Sequence, residues 1–311
     1  MKAEIIMIFL FSIIFLSCNS ESKISEKPQE KKVESVNEGK LTIYADSSII
    51  NILKPTFDFY HQSYPKIELN AQFVNSRRAV ALLFSGEAEA IVIARNYLKD
   101  EDSLNKEYQL NRPEMIIAKD ALVFFTTPDF PLDTLNAELI FKILTDNKKF
   151  KDFFPNLTFE PELVISNNNN SEYAGLQQLV SKNSIIKKSL KFLSNSQEVR
   201  NYIKKNKNSI GIGFLSNVVT NPDFKSLRVG FINKDGKRIP PQIVHQGFIV
   251  QEKYPYIVEY KAILREDRRN KPFWFASYLS KETKVQKYFM DSGLVPGYAK
   301  IVLVPNENSV K

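Results

Sequence analysis

The stretch from Leu41 to Arg95 constrains the fold more than any other part of the chain. Leu41-Thr42-Ile43-Tyr44-Ala45 alternates and is rich in β-formers, the pattern of a strand. Asp46-Ser47-Ser48 offers helix N-cap side chains, and Ile49, Ile52, Leu53, Phe57 and Tyr60 then recur at helical spacing until Tyr64-Pro65 stops the run. Ile67 to Val74 is a second alternating strand. Asn75-Ser76 caps a short helix over 79–84, and Ala90-Ile91-Val92-Ile93-Ala94 is a buried strand ending at Arg95. The order β-α-β-α-β implies an α/β protein with a mostly parallel sheet.

Downstream, 115–118 and 121–126 read as strands around Lys119-Asp120. Residues 136–144 read as a helix and 162–165 as a strand followed by an Asn run. Helices are expected over 172–180, 197–204, 273–279 and 283–290, with strands over 209–214 and 247–250. In open α/β sheets ligands lie beyond the carboxyl ends of strands. That rule selects Asp46 to Ser48, Asn75 to Arg78, Arg95, and Asn167 to Tyr173, all bearing hydroxyl, amide or cationic groups. Three of these groups also open a helix, where backbone N–H groups and the positive dipole end favour an anion.

The N-terminus constrains the compartment. Met1-Lys2, a brief apolar core and Phe15-Leu16-Ser17-Cys18 have the form of a signal peptide, too short for a comfortable membrane span. Cys18 is the chain's only cysteine, so the domain beyond it has neither a disulfide nor a thiol nucleophile. Residues 18–39 are charged and nearly devoid of large apolar side chains, the composition of a disordered tether. The tether's charges balance, so the net charge of +8 sits on the domain over 40–311 and draws anions towards it. Such a charge also suits nucleic acid, but an exported protein is not expected to meet any.

At the selected strand ends the chain resembles the phosphate-binding proteins of ABC uptake systems, which are type II periplasmic binding proteins. The likeness runs over about residues 40 to 304. The family's opening Ser/Gly/Ser/Thr turn is matched by Asp46-Ser47-Ser48, and its Ser turn before the second helix by Asn75-Ser76-Arg77-Arg78. Its Gly-x-Ala-Asp strand ending in Ser-Arg is matched by Gly86 to Arg95, and its Ile-Ala-x-Asp-Gly by Ile117-Ala118-Lys119-Asp120-Ala121. Thr127-Pro128 stands at its Asn-Pro turn, Ser171-Glu172-Tyr173 at its Ser-Gly-Thr helix start, and Ser209 to Phe214 at its Ala-Ile-Gly-Tyr strand. Tyr254-Pro255-Tyr256 stands at its second hinge and Gly293-Leu294-Val295-Pro296 at its close. Phe15 to Cys18 resembles a lipobox, which implies an acylated, palmitate-type anchor on Cys18 and a periplasmic or cell-surface lipoprotein.

The resemblance implies a two-lobed type II periplasmic binding protein fold with mixed, mostly parallel sheets. Lobe 1 would comprise about 40–123 and 246–311, and lobe 2 about 124–245. The implied function is binding of inorganic phosphate or a related small anion between the lobes, with ABC permease subunits as partners, a monomeric state and no cofactor. The implied ligand residues are Asp46, Ser47, Ser48, Ser76, Arg77, Arg95, Asn170, Ser171 and Tyr173. The departures fall at this site. Glu172 replaces a glycine, which is unfavourable unless its carboxylate points away, Ala94 replaces a serine, and only Asp46 can accept a phosphate proton. The alternative is a binding or sensor lipoprotein of the same fold with an altered or lost ligand.

Bland roles stand beside these. Arg95 either clamps an anion or pairs with Glu89 or Asp120, and Ser47, Ser48 and Ser171 serve equally as helix caps. His61 and His245 have no second histidine at ligand spacing, so no metal site is expected. No base is placed to activate a serine, and there is no nucleophile elbow or phosphate loop, so the chain reads as a binder rather than an enzyme.

Overall fold

The computed structural model describes residues 35–298. The expected signal peptide, Cys18 and the tether up to residue 34 lie outside the described residues. From the N-terminus the elements are β1 (Gly39–Asp46), α1 (Ile50–Ser63), β2 (Ile67–Val74), α2 (Ser76–Ser85), β3 (Ala90–Ile93), α3 (Lys99–Glu107) and β4 (Glu114–Thr126). Then come β5 (Thr134–Asn136), α4 (Ala137–Thr145), β6 (Glu162–Ser166), α5 (Ser171–Gly175), β7 (Lys191–Leu193), α6 (Ser196–Lys205) and β8 (Ser209–Phe214). The last are β9 (Lys225–Ser226), β10 (Arg228–Ile232), β11 (Arg238–Ile239), α7 (Gln246–Val250), β12 (Ile257–Leu264), α8 (Lys271–Lys281), α9 (Thr283–Asp291) and β13 (Val295–Pro296).

The main sheet runs β2-β1-β3-β12-β4-β8-β6-β7, a mixed α/β architecture. Its flanks are parallel: β1 pairs with β2 and β3, and β6 with β7 and β8. Its middle, across β3, β12, β4 and β8, is antiparallel. The expected mostly parallel pairing thus describes the two βα-built flanks, while the central strands that join them reverse direction.

β4 is the joint. Its first part pairs with β12 from Glu114 to Ala121, and its second part with β8 from Leu122 to Phe125. The sequence reading split it in two at Lys119-Asp120, but the strand is continuous. Lys119 keeps its charge at the sheet face against Glu259, 3.8 Å away, and the Asp120 carboxylate is held inside by Tyr260 Oη at 2.7 Å. β12 escaped the sequence reading, although buried Val258, Tyr260 and Ala262 alternate with more exposed Glu259 and Lys261. Residues 247–250 are helical in α7 rather than a strand. His245 Nδ1 accepts from the Gly247 amide at 3.1 Å and sets a helix N-cap, which a short apolar run does not announce. The helix expected over 172–180 opens as α5 and continues as a π-turn over Leu176–Val180.

Packing explains one glycine in β8. A Cβ on Gly211 would lie 2.4 Å from the Phe125 ring, so the ring occupies the space above the strand. Among the described residues no helix is long and apolar enough to cross a membrane.

Candidate functional site

The ends of β1, β3 and β6 and the starts of α2 and α5 bring buried polar side chains together. Asp46 closes β1 and is fully buried. Its Oδ1 accepts from the Ser48 amide at 2.9 Å, capping the short 3-10 turn Ser47–Ile49 that leads into α1. Ser48 is buried, and Ser47 is half-buried in the same turn. Ser76 is buried at the start of α2, where Asn75 Oδ1 caps the helix through the Arg78 amide at 2.8 Å.

Arg95 leaves the end of β3 and is 3% exposed. Its Nε donates to Ser76 Oγ at 2.8 Å. Its two Nη atoms fork onto Glu101 of α3, at 2.6 and 2.9 Å. The partner is therefore neither Glu89 nor Asp120, the two considered from sequence. Glu101 is the third residue of α3, and its Oε2 also accepts from the Leu98 amide at 2.9 Å, so the helix start fixes the carboxylate that holds Arg95.

Asn170 and Ser171 are buried at the start of α5. Ser171 Oγ accepts from the Ala94 amide at 3.3 Å, and its hydroxyl favours the charged form of the Asp46 carboxyl. Asn170 Nδ2 donates to Ser166 Oγ at 3.4 Å. The Asn169 carbonyl accepts from Ser76 Oγ at 3.0 Å and from the Arg77 amide at 3.2 Å, so the β6–α5 turn sits directly on the start of α2.

Asp46, Ser48, Ser76, Arg95, Asn170 and Ser171 are thus all buried at these strand ends and helix starts, with Ser76 bonded to Arg95 and the Ser48 amide to Asp46. Two other expected residues turn elsewhere. The Arg77 guanidinium pairs with Asp100 and lies 3.8 Å from Glu101, which holds it against α3. Tyr173 packs edge-on to Phe192 of β7, with ring centroids 5.5 Å apart.

Glu172 points inward. It is fully buried, with Oε2 accepting from Ser166 Oγ at 3.0 Å and Oε1 from the Ser196 hydroxyl. Burial, reinforced by the Asp46 charge, pushes its carboxyl up to about 7, while the Ser196 and Ser166 hydroxyls pull back. Burial also raises Asp46, against the stabilising Ser171 hydroxyl, the Ser48 amide and hydroxyl, and the Arg95 charge. Glu101 thus pairs with the Arg95 guanidinium, whose charge also reaches Asp46.

Among these residues two buried atoms, Asp46 Oδ2 and Ser48 Oγ, have no hydrogen-bond partner among the described residues. Buried polar atoms are nearly always bonded, so such a pair points to a ligand that both accepts and donates. Glu101, Ser166 and Ser196 were not singled out from sequence. Glu101 alone carried a signal, as part of an acidic run at a helix start six residues after Arg95. Among the described residues no three His, Cys, Asp or Glu side chains are grouped to hold a metal ion.

Residues 30–283 match the PBP superfamily domain. No curated protein matches the chain in sequence. A substrate-binding protein from Clostridium perfringens, solved with bound phosphate, superposes with a TM-score of 0.68 at 14% identity, covering 83% of this chain and 99% of that one. An ABC-type phosphate transport receptor from Vibrio cholerae superposes with a TM-score of 0.64 at 14% identity, covering 83% and 100%. PstS from Borrelia burgdorferi superposes with a TM-score of 0.55 at 15% identity, covering 83% and 98%. At these identities the likeness is one of fold, and with the sequence match over most of its length the chain belongs to the PBP superfamily, with a PstS-like type II periplasmic binding protein fold.

Proposed function

We propose that the chain is an extracytoplasmic solute-binding protein of an ABC-type uptake system, taking phosphate or a related oxyanion between two lobes. Lobe 1 comprises about 40–123 with 246–311 and lobe 2 about 124–245, so β4 and the approach to β12 are the crossovers. The ligand shifts an open–closed equilibrium, and the permease recognises the closed form. Cys18 carries the lipid anchor and the charged tether gives the lobes room to move.

The observation that carries this reading is the pair Asp46 Oδ2 and Ser48 Oγ, buried without partners beside the starts of α2 and α5. A protonated oxyanion satisfies both: its O–H donates to Asp46, and another of its oxygens accepts from Ser48. Sulfate, fully ionised near neutrality, has no proton to give Asp46. Calorimetric titration should therefore show heat with phosphate at micromolar concentrations and none with sulfate. Asp46→Asn should weaken phosphate and admit sulfate. No heat with phosphate sinks the reading.

A specific observation favours a second reading, a binding or sensor protein of the same fold with a changed or lost ligand. The Ser76 hydroxyl, the Arg77 amide and the Ser171 hydroxyl are already bonded within the protein, and Arg95 is neutralised by Glu101. Glu172 adds a second carboxyl. Failure of phosphate together with binding of another small solute selects this reading.

A further inference from the structure

A cavity of about 280 Å³ lies apart from Arg95, between the first turn of α1 and the α6 and β8 side of the sheet. Asn51, Gln197, Arg200, Lys204, Ser216 and Asn217 line it. Lys204 has its counter-charge, because it pairs with Asp223. Arg200 is different. It is 7% exposed, yet among the described residues its guanidinium makes one hydrogen bond, from Nη2 to the neutral Gln197 Oε1 at 2.6 Å, and no ion pair. Burial pulls its pKa down, and the one carboxylate whose field pushes back is Glu172. The Glu172 oxygens are already taken by Ser166 and Ser196. A buried charge with no ionic partner is costly, and a guanidinium fork fits a two-oxygen anionic group.

The volume and lining narrow the occupant. About 280 Å³ is about nine water volumes at roughly 30 Å³ each. A bare inorganic oxyanion, with five heavy atoms, fills about half of that. The amides of Asn51 and Asn217 and the hydroxyl of Ser216 suit hydroxyl groups, while Ile52 and Phe224 offer apolar contact.

We infer that this cavity is a separate binding site for a small organic oxyanion, a hydroxylated carboxylate or phosphate ester, gripped by Arg200. It does not depend on the phosphate reading, since it uses none of Asp46, Ser76, Arg95 or Ser171. It does adjoin that site, because Asn217 Nδ2 donates to the Ser48 carbonyl at 3.4 Å.

The test is calorimetric titration of the purified full chain with lactate, glycerol 3-phosphate and inorganic phosphate, with choline as a cationic control. At least one of the two organic anions should bind, more tightly than inorganic phosphate does at this cavity, and choline should not. Arg200→Gln should weaken that binding by roughly tenfold or more, the scale of a charge-assisted contact. Ser171→Ala should leave it within about twofold, a change too small to reflect a lost contact. Melting curves guard against misfolding: in anion-free buffer Arg200→Gln should melt at or above the parent temperature, and the anion should stabilise the parent but not the variant. Asn217→Ala, on the cavity wall, should weaken the same ligand. The inference is overturned if neither organic anion binds, if Arg200→Gln binds them as the parent does, or if Ser171→Ala abolishes binding as completely as Arg200→Gln.

Discussion

Replacing Glu172 by glutamine removes an ionisable group from a fully buried position while keeping its shape and one acceptor oxygen. The folded protein holds this carboxyl at about 7, against 4.5 for the ordinary side chain. Below pH 4.5 Glu172 is neutral in both folded and unfolded chains, so it favours neither. Between pH 4.5 and about 7 the unfolded chain releases the proton while the folded chain retains it, so stability falls as pH rises. At roughly 1.4 kcal/mol per pH unit, the loss reaches about 3 kcal/mol by pH 8. The glutamine variant escapes it, and its stability relative to the parent should climb by that amount between pH 4.5 and 8. Urea unfolding of both proteins across this range measures the difference from the midpoints at constant slope. On a domain of this size the gain is roughly 6 °C in melting temperature at pH 8. Asp46 is raised in the same sense and its charge helps raise Glu172, so the difference reports Glu172 together with its coupling to Asp46. A difference that stays flat with pH, or runs the other way, would show that Glu172 is ionised in the fold and balanced by a cation such as Arg200, and would refute the reasoning.

Other perturbations test the frame around the site. Glu101→Ala strands Arg95 in the interior and should cost about 3–5 kcal/mol in denaturant unfolding. The double change Arg95→Met with Glu101→Leu should recover most of that loss. Tyr260→Phe deletes the 2.7 Å bond to Asp120 Oδ2 at the centre of the β4–β12 joint, with an expected loss of about 1.5–3 kcal/mol by the same assay. Gly297→Ala would place a Cβ 2.4 Å from the Ile116 carbonyl oxygen, a backbone atom that no rotamer change can move, and should lower stability by about 1–3 kcal/mol. Gly236→Ala has open space but a φ of +76°, so only backbone strain of about 1–2 kcal/mol should register in its melting curve.

Local patterning determined much of this protein. Alternation in 41–45 and 67–74, the caps Asp46 and Asn75, and the apolar strand 90–93 specify β1-α1-β2-α2-β3 almost residue by residue. These are short-range effects, each acting within a turn of helix or a few residues of strand, so a sequence displays them directly. The same patterning located Asp46, Ser48, Ser76, Arg95 and Ser171 at strand ends and helix starts. Tertiary structure decided what those groups do. It chose Glu101 over Glu89 and Asp120 as the partner of Arg95, because α3 folds back with its third residue under the guanidinium. It turned Glu172 inward, where the hydroxyls of Ser166 and Ser196 receive it from β6 and α6. It also left Arg200, one basic residue among many in the sequence, buried without an ionic partner among the described residues. Charge pairing and burial depend on which distant segments meet, and no local period records that.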